Sequence, residues 1–325
     1  MPSPSSSLAT LRPDLGSLME FDLDRQFQGF IAYQVLPILQ VALSASTFGR
    51  IKTEHLGKLS DVTRGPKGDY NRIDWAFGED SYATREYGLE GVVSDRNAKL
   101  YANYFDAEMV TAKKVLFNIL AKAEQRVAAA VFNATTFTGS ALTTAVTNEW
   151  DDTVNATPIT DVLAGSQKVR DNCGRYPNAA VMNRKVFRNL RECEQIIERI
   201  KASGAGDKVK PSDINAQMIA ACFDLERVIV ADSSYDATNE GQATSFSSIW
   251  SDEYCMLCVI NDSPDVETPC LGRTFHWGED GSEPGGLVEG YGEDAVRAQV
   301  IRVRHDVQEK IIYPECGHLL SNITT

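Results

Sequence analysis

Residues 106–132, DAEMVTAKKVLFNILAKAEQRVAAAVF, constrain this chain more than any other stretch. Met109, Ala112, Leu116, Ile119, Ala123, Val127 and Ala130 recur at three- and four-residue steps, the spacing of one helical face. Lys113, Lys114, Lys122, Gln125 and Arg126 fall mostly off that stripe and predict a wet opposite side. At 1.5 Å per residue the helix would be about 40 Å long, well beyond the usual three or four turns. A helix of that length with a single oily face has to be covered by a broad sheet or by a neighbouring subunit. The preceding EYGLEGVVSDR, residues 86–96, predicts a tight turn at Gly88 and a helix start at Ser94-Asp95.

Composition bounds what the rest can be. The 325 residues are 43% hydrophobic, enough for one large core or two modest ones. Lys plus Arg number 32 against 45 Asp plus Glu, a formal charge of −13 that repels nucleic acid rather than binding it by counterion release. This argues against a sequence-reading DNA protein and is neutral towards a container whose wall tolerates DNA. The opening MPSPSSSLATLRPDLG lacks the basic start and apolar run of a signal peptide, and the apolar stretch 30–43 is interrupted by Gln34, Pro37 and Gln40. The expectation is a protein made in the cytoplasm, with no membrane partner.

No catalytic, cofactor or metal constellation stands out. The seven cysteines are odd in number and scattered, as in a reducing compartment. Cys255 and Cys258 form a CxxC, but within an apolar strand their side chains point to opposite faces, so core packing is the better reading. His276, His305 and His318 are single and lack metal-ligand spacing. Gly65-Pro66-Lys67-Gly68 lacks the ending of a phosphate loop, residues 203–206 lack a nucleophile elbow, and Asp151-Asp152 and Glu279-Asp280 sit in polar, turn-like stretches.

Around the long helix the pattern is α+β. Residues 1–28 are Ser- and Pro-rich and read as an extended arm. A two-stranded excursion follows: 47–55 runs out, Arg64, Pro66, Lys67 and Asp69 mark the turn, and 71–77 returns with Ile73, Trp75 and Phe77 alternating. A hairpin with no local partner is unstable alone, so these residues are expected to lie on another subunit. Further on, 161–171 reads as a helix, 179–182 as a strand, Asn183 as a cap, Ser212 as the cap of a helix at 213–223, and 227–231 as a strand. Two polar loops are expected at 201–210 and 233–247, strands at 273–277, 299–304 and 310–313, and a glycine-rich surface loop at 278–292.

Several stretches, in order, resemble the major capsid proteins of tailed bacteriophages, the Hong Kong 97-type shell fold. They are GFIAYQVLPILQVALSASTFGRI at 29–51, EYGLEGVVSDR leading to EQRVAAAVFN, PITDVLAGSQKV, YPNAAVMNRKVFRNL with IIERIK, ERVIVADSSYDATNEGQ with SIWSDEYCMLCVI, and CLGRTFHW with VRHDVQEKIIYPECGHLLSNI. Together they span most of residues 19–322. The resemblance implies an N-terminal arm and lead-in segment (1–44), an extended loop (45–93), a peripheral domain with the spine helix (94–160), an axial domain (161–271) and return strands completing the peripheral domain (272–325). It implies spine packing through Met109, Leu116, Ile119 and Val127, and an inter-subunit loop carrying Arg64, Pro66, Lys67, Asp69, Ile73, Trp75 and Phe77. It further implies a non-enzymatic, self-assembling shell of pentamers and hexamers around packaged DNA that is touched non-specifically. Portal, decoration and separate scaffolding proteins are the implied partners, since the family-like part begins near Phe21 and leaves no room for a fused scaffold. Shells of the encapsulin or gene-transfer-particle kind are the alternative, and a soluble α+β hydrolase the less favoured one. One branch of the family joins subunits by a lysine–asparagine isopeptide bond; Lys58 or Lys67 could supply the amine and Asn322 is an unanchored partner, but exposed turn lysines more simply solvate the turn.

Overall fold

The computed structural model describes residues 10–11, 29–52, 57–65, 68–73, 77–101, 106–202, 210–239, 241–263 and 268–325. The helices are α1 (Ala32–Val35), α2 (Asp95–Tyr101), α3 (Ala107–Val131), α4 (Pro158–Cys173), α5 (Arg184–Glu192), α6 (Glu194–Ile200) and α7 (Ala216–Cys222). The strands are β1 (Thr10–Leu11), β2 (Ile38–Val41), β3 (Ala45–Ile51), β4 (Phe77–Ala83), β5 (Arg85–Ser94), β6 (Thr143–Ala145), β7 (Ala179–Asn183), β8 (Arg227–Ala231), β9 (Ser234–Asp236), β10 (Phe246–Ser248), β11 (Tyr254–Cys258), β12 (Gly272–Trp277), β13 (Leu287–Glu293), β14 (Ala298–Ile311) and β15 (Gly317–Ser321).

The spine helix α3 forms where its stripe demands. The Asp106 carboxylate caps it, accepting from the backbone N–H of Glu108 and Met109 at 2.9 and 3.3 Å. Its first half lays Ala112, Val115, Leu116 and Ile119 on Val288, Ile301 and Val303 of a six-stranded sheet. Its last turns carry Val127, Ala128 and Val131 into a second, five-stranded sheet. One helix therefore spans two sheets, which is what a stripe of that length needs. Leu116, Ile119 and Val127 are buried, and Met109 is half-buried at the helix start.

The six-stranded sheet is organised by β14. Residues 298–304 pair with β13 and 298–307 with β5, so those two lie on opposite edges. Residues 307–311 pair with β12, which continues along the β13 edge and carries β2 in parallel. At Gly91 of β5 an added Cβ would lie 2.3 Å from Thr111 Cγ2, so only glycine lets this strand press against α3.

The five-stranded sheet runs β6-β15-β11-β7-β8 and is buried on both faces. Ala180, Met182, Cys255, Leu257 and Leu320 face the helical layer with Val186, Leu190, Ile196 and Ile219, while Ala179, Val181, Met256, Cys258 and Leu319 face α1 and the end of α3. Cys255 and Cys258 thus point to opposite faces of β11.

Several expectations need correction. Gly88 is no turn but pairs with Arg304 in mid-strand, so residues 85–94 belong to the sheet and not to the excursion. The described part of the excursion's return strand is Phe77–Ala83, with Phe77 opposite Ile51, and Ile73 is not in a strand. The strands expected at 299–304 and 310–313 are one strand, and much of the expected 278–292 loop is β13. The helix near 213–223 begins later and is capped by Asn215, whose side chain accepts from Met218 N at 2.9 Å. Finally, β6 and β15 lie in the five-stranded sheet, so residues 134–160 and 272–325 do not serve the peripheral sheet alone.

Leu116→Asp would place a charge on the buried stripe without a partner. It should cost about 4 kcal/mol or more, whereas Lys114→Gln on the exposed ridge should stay within about 0.5 kcal/mol. Urea midpoints of the two variants check this.

Candidate functional site

The strongest functional features are surfaces. The excursion begins as an antiparallel ladder of β3 with β4, in register from Ala45↔Ala83 to Ile51↔Phe77. Its root is fixed to the body. Tyr82 stacks on Phe275 of β12 at 4.6 Å and 6°, and Phe48 lies 5.6 Å from the same ring. Such aromatic pairs add about 0.5–1.5 kcal/mol each beyond burial. Around them Lys310 binds Asp80 and the Ser81 carbonyl, Gln308 accepts from Ala83 N at 2.7 Å, and Arg50 pairs with Glu315 at 3.0 Å while lying over the Tyr313 ring. Lys310 also holds the Asp80 carboxyl below its ordinary range against the effect of burial.

Beyond that root every described residue from 57 to 73 is exposed. Leu59 and Val62 are 96% and 94% exposed, Tyr70 74% and Ile73 63%, unusual values for large apolar side chains so close in sequence. The tip nevertheless has local order. Gly68 N donates to Gly65 O at 3.0 Å, and Arg64 reaches Gly68 O at 2.7 Å with its guanidinium 4.3 Å over the Tyr70 ring. Asp69 is exposed beside this turn. Pro66, Lys67, Trp75 and the Phe77 side chain lie outside the described residues, as do most of the arm and most of the 201–210 loop. Sequence reasoning missed Leu59, Val62 and Tyr70, because isolated apolar residues in a polar stretch carry no periodicity.

A second missed feature is the junction at Glu124, a carboxylate 1% exposed. One oxygen accepts from Ile31 N (2.9 Å) and Trp250 Nε1 (2.6 Å), the other from Ala32 N (2.8 Å). Spine helix, lead-in segment and the segment between β10 and β11 thereby meet on one group. Burial pushes this carboxyl above its ordinary value against the lowering effect of those donors. Its signal was present in the sequence: Leu120, Glu124, Ala128 and Val131 form a second line beside the stripe, with one charge in it. Between the two hairpin-root residues Gln308 and Lys310 of β14, the nearly buried Glu309 pairs with Arg126 of α3 at 2.8 Å, and Arg126 lies 3.8 Å over the Tyr87 ring.

The buried histidines are structural by their partners. His305 Nδ1 donates to Pro284 O at 3.2 Å, and its other nitrogen accepts from Arg126 at 3.4 Å. His318 Nδ1 donates to Ala141 O at 3.0 Å, with Thr144 Oγ1 2.9 Å from Nε2. Burial pushes both rings down to about 4, so each is neutral. Among the described residues no three His, Cys, Asp or Glu side chains converge as a metal site, and no helix is long and apolar enough to cross a membrane.

Over 97% of its length the chain superposes on 98% of a phage-related protein of Bordetella bronchiseptica RB50, with a TM-score of 0.69 at 19% identity. The capsid protein of cyanophage P-SCSP1u matches 88% of the chain over 86% of its own length, with a TM-score of 0.58 at 9% identity. The fold is the Hong Kong 97-type capsid fold. In sequence, the major capsid protein of Burkholderia phage BcepMu is 21% identical over 222 residues, 68% of each chain. No known family profile matches.

Two outcomes follow from the Hong Kong 97-type core. Glu124→Ala orphans three buried donors and should cost about 3 kcal/mol or more. For the histidines the sign is set by their neutral folded state: an unfolded ring takes a proton near 6.5, the folded one only near 4, so stability is lost as pH falls between these values. Glu124, with its value raised, works oppositely and loses its contribution as pH rises through that value. Unfolding midpoints measured against pH should show the acid fall, and His318→Asn should flatten it. An unchanged slope would assign the fall to other groups.

Proposed function

We propose that the chain is the major capsid protein of a tailed phage, which self-assembles into the icosahedral shell around double-stranded DNA. The observation that carries this is the firmly rooted hairpin whose tip exposes Leu59, Val62, Tyr70 and Ile73 on a fold shared with phage capsids. Apolar side chains held away from the body are stable only when a partner covers them, and a neighbouring copy offers the same surface at every position. Obligate assemblies bury about 2,000–5,000 Å² at such contacts. Repeated, closed rings of identical heterologous contacts build the shell.

In this reading residues 64–77 lie across the adjacent subunit, with Arg64, Pro66, Lys67, Asp69, Ile73, Trp75 and Phe77 in or beside the contact. The helical layer and the β9–β10 hairpin, whose Phe246 is exposed, approach the centre of pentamers and hexamers. The N-terminal arm ties a further neighbour. DNA is met without sequence preference by a wall that is acidic overall. The protein performs no catalysis; it is made in the host cytoplasm and ends in the virion, with scaffolding, portal and decoration proteins as separate partners.

Electron microscopy of the purified chain tests this: hollow closed particles are expected, and a uniform population of single subunits would contradict it. Replacing residues 64–69 by a short turn should leave the unfolding midpoint of the subunit within about 0.5 kcal/mol but abolish or weaken particles. Equally heat-stable particles from that variant would remove residues 64–69 from the contact.

A further inference from the structure

Seven cysteines are present, and one differs in kind from the others. Cys255 and Cys258 are fully enclosed, and burial pushes their thiols up, Cys258 to about 12. Burial likewise raises Cys193 and Cys222. Cys173 ends α4 and is only half-buried. Against it packs the turn Pro314–Cys316, which leads into β15, and the buried Cys316 shares an apolar cluster with Val169, Val259, Phe275, Ile312 and Tyr313. Cys173 packs against this same cluster, which brings the two thiols together. A second anchor orients the first thiol: Cys173 Sγ lies 3.6 Å from the Arg175 carbonyl oxygen.

We propose that Cys173 and Cys316 are an oxidation site, a thiol pair that closes to a disulfide when the chain meets a low-molecular-weight disulfide. The pair is one accessible attacking thiol and one enclosed resolving thiol, the division of labour that thiol–disulfide exchange requires. The Cys316 thiol donates to Cys173 and lowers it to about 7 despite partial burial, with the backbone and charge of Arg175 adding to this. Donating in this way also pushes Cys316 itself upward, as does burial. In the first step the Cys173 thiolate attacks one sulfur of the small disulfide, forming a mixed disulfide and expelling one thiolate, which takes up a proton. In the second, the Cys316 thiol gives up its proton and attacks Cys173 Sγ, expelling the second small thiol. Two protein thiols are oxidised to one disulfide and one small disulfide is reduced to two thiols, so electrons and protons balance.

The link would tie the end of α4 to the turn that starts β15, closing a loop of more than a hundred residues between positions 173 and 316. A closure of that length restricts the unfolded chain strongly. The pair stays open in a reducing compartment and closes outside one. This chemistry belongs to the single chain and does not rest on the shell reading.

The test uses the full chain, native, with oxidised glutathione as the probe. Peptide mass spectrometry without reductant should find Cys173 joined to Cys316, with the thermal midpoint raised and restored by dithiothreitol. Cys316→Ser should instead accumulate glutathione on Cys173, because the resolving thiol is gone. A measurement on the unaltered protein guards against misfolded variants: iodoacetamide should modify Cys173 about ten-fold faster than any other cysteine. Stable glutathionylation of Cys173 in the unaltered chain, a link through other cysteines, or uniform alkylation would each overturn the proposal.

Discussion

The Glu124 carboxylate is the constraint on which the rest of the architecture hangs. A buried ionisable group is costly unless donors surround it, and here three do, from two distant parts of the chain. Ile31 and Ala32 bring the lead-in segment, Trp250 brings the approach to β11, and the carboxylate itself rides on the spine helix. The apolar stripe alone would let α3 slide or roll on its sheets, because hydrophobic contact is non-directional. Hydrogen bonds at 2.6–2.9 Å do not permit that. Gly29, just before the junction, lies so close to Asp232 that a Cβ would come within 2.6 Å of its carbonyl carbon.

From that junction two consequences propagate to the surface. The six-stranded sheet is held at one end of α3, with β14 as its common member, and the hairpin root is bolted to the same strand through Gln308 and Lys310. The hairpin's direction is thus set by the sheet and not by the hairpin's own ladder. A two-stranded ribbon alone is marginal in water, yet the aromatic trio Phe48, Tyr82 and Phe275 gives this one a rigid base. What projects beyond it is the apolar tip. The energetic logic is a stable subunit carrying an unsatisfied surface, which mass action converts into assembly as concentration rises.

The legible part of the fold was the part governed by period. The stripe placed the spine helix at 106–132, and the structure has Ala107–Val131 flanked by Asp106 and Phe132 as caps. Strand β8 and the Asn183 cap were likewise visible. Period failed where polar groups are buried: His305 and Asp306 look like a break between two strands, but both are enclosed within β14. It failed again in β13, where Gly290 and Gly292 mimic a loop although the strand pairs over its full length. In the excursion, the alternation of Ile73, Trp75 and Phe77 suggested a ladder, and Phe77 is its one member in the described ladder, opposite Ile51. The exposed Leu59 and Val62 were invisible because a residue that waits for a partner obeys no pattern within its own chain.

The most direct test of the central claim, that this fold exists to associate with itself, is sedimentation velocity over a wide concentration range. The 35.8 kDa subunit should give way to capsomer-sized and larger species as concentration rises. A single 35.8 kDa boundary, unchanged up to the highest concentration reached, would contradict it.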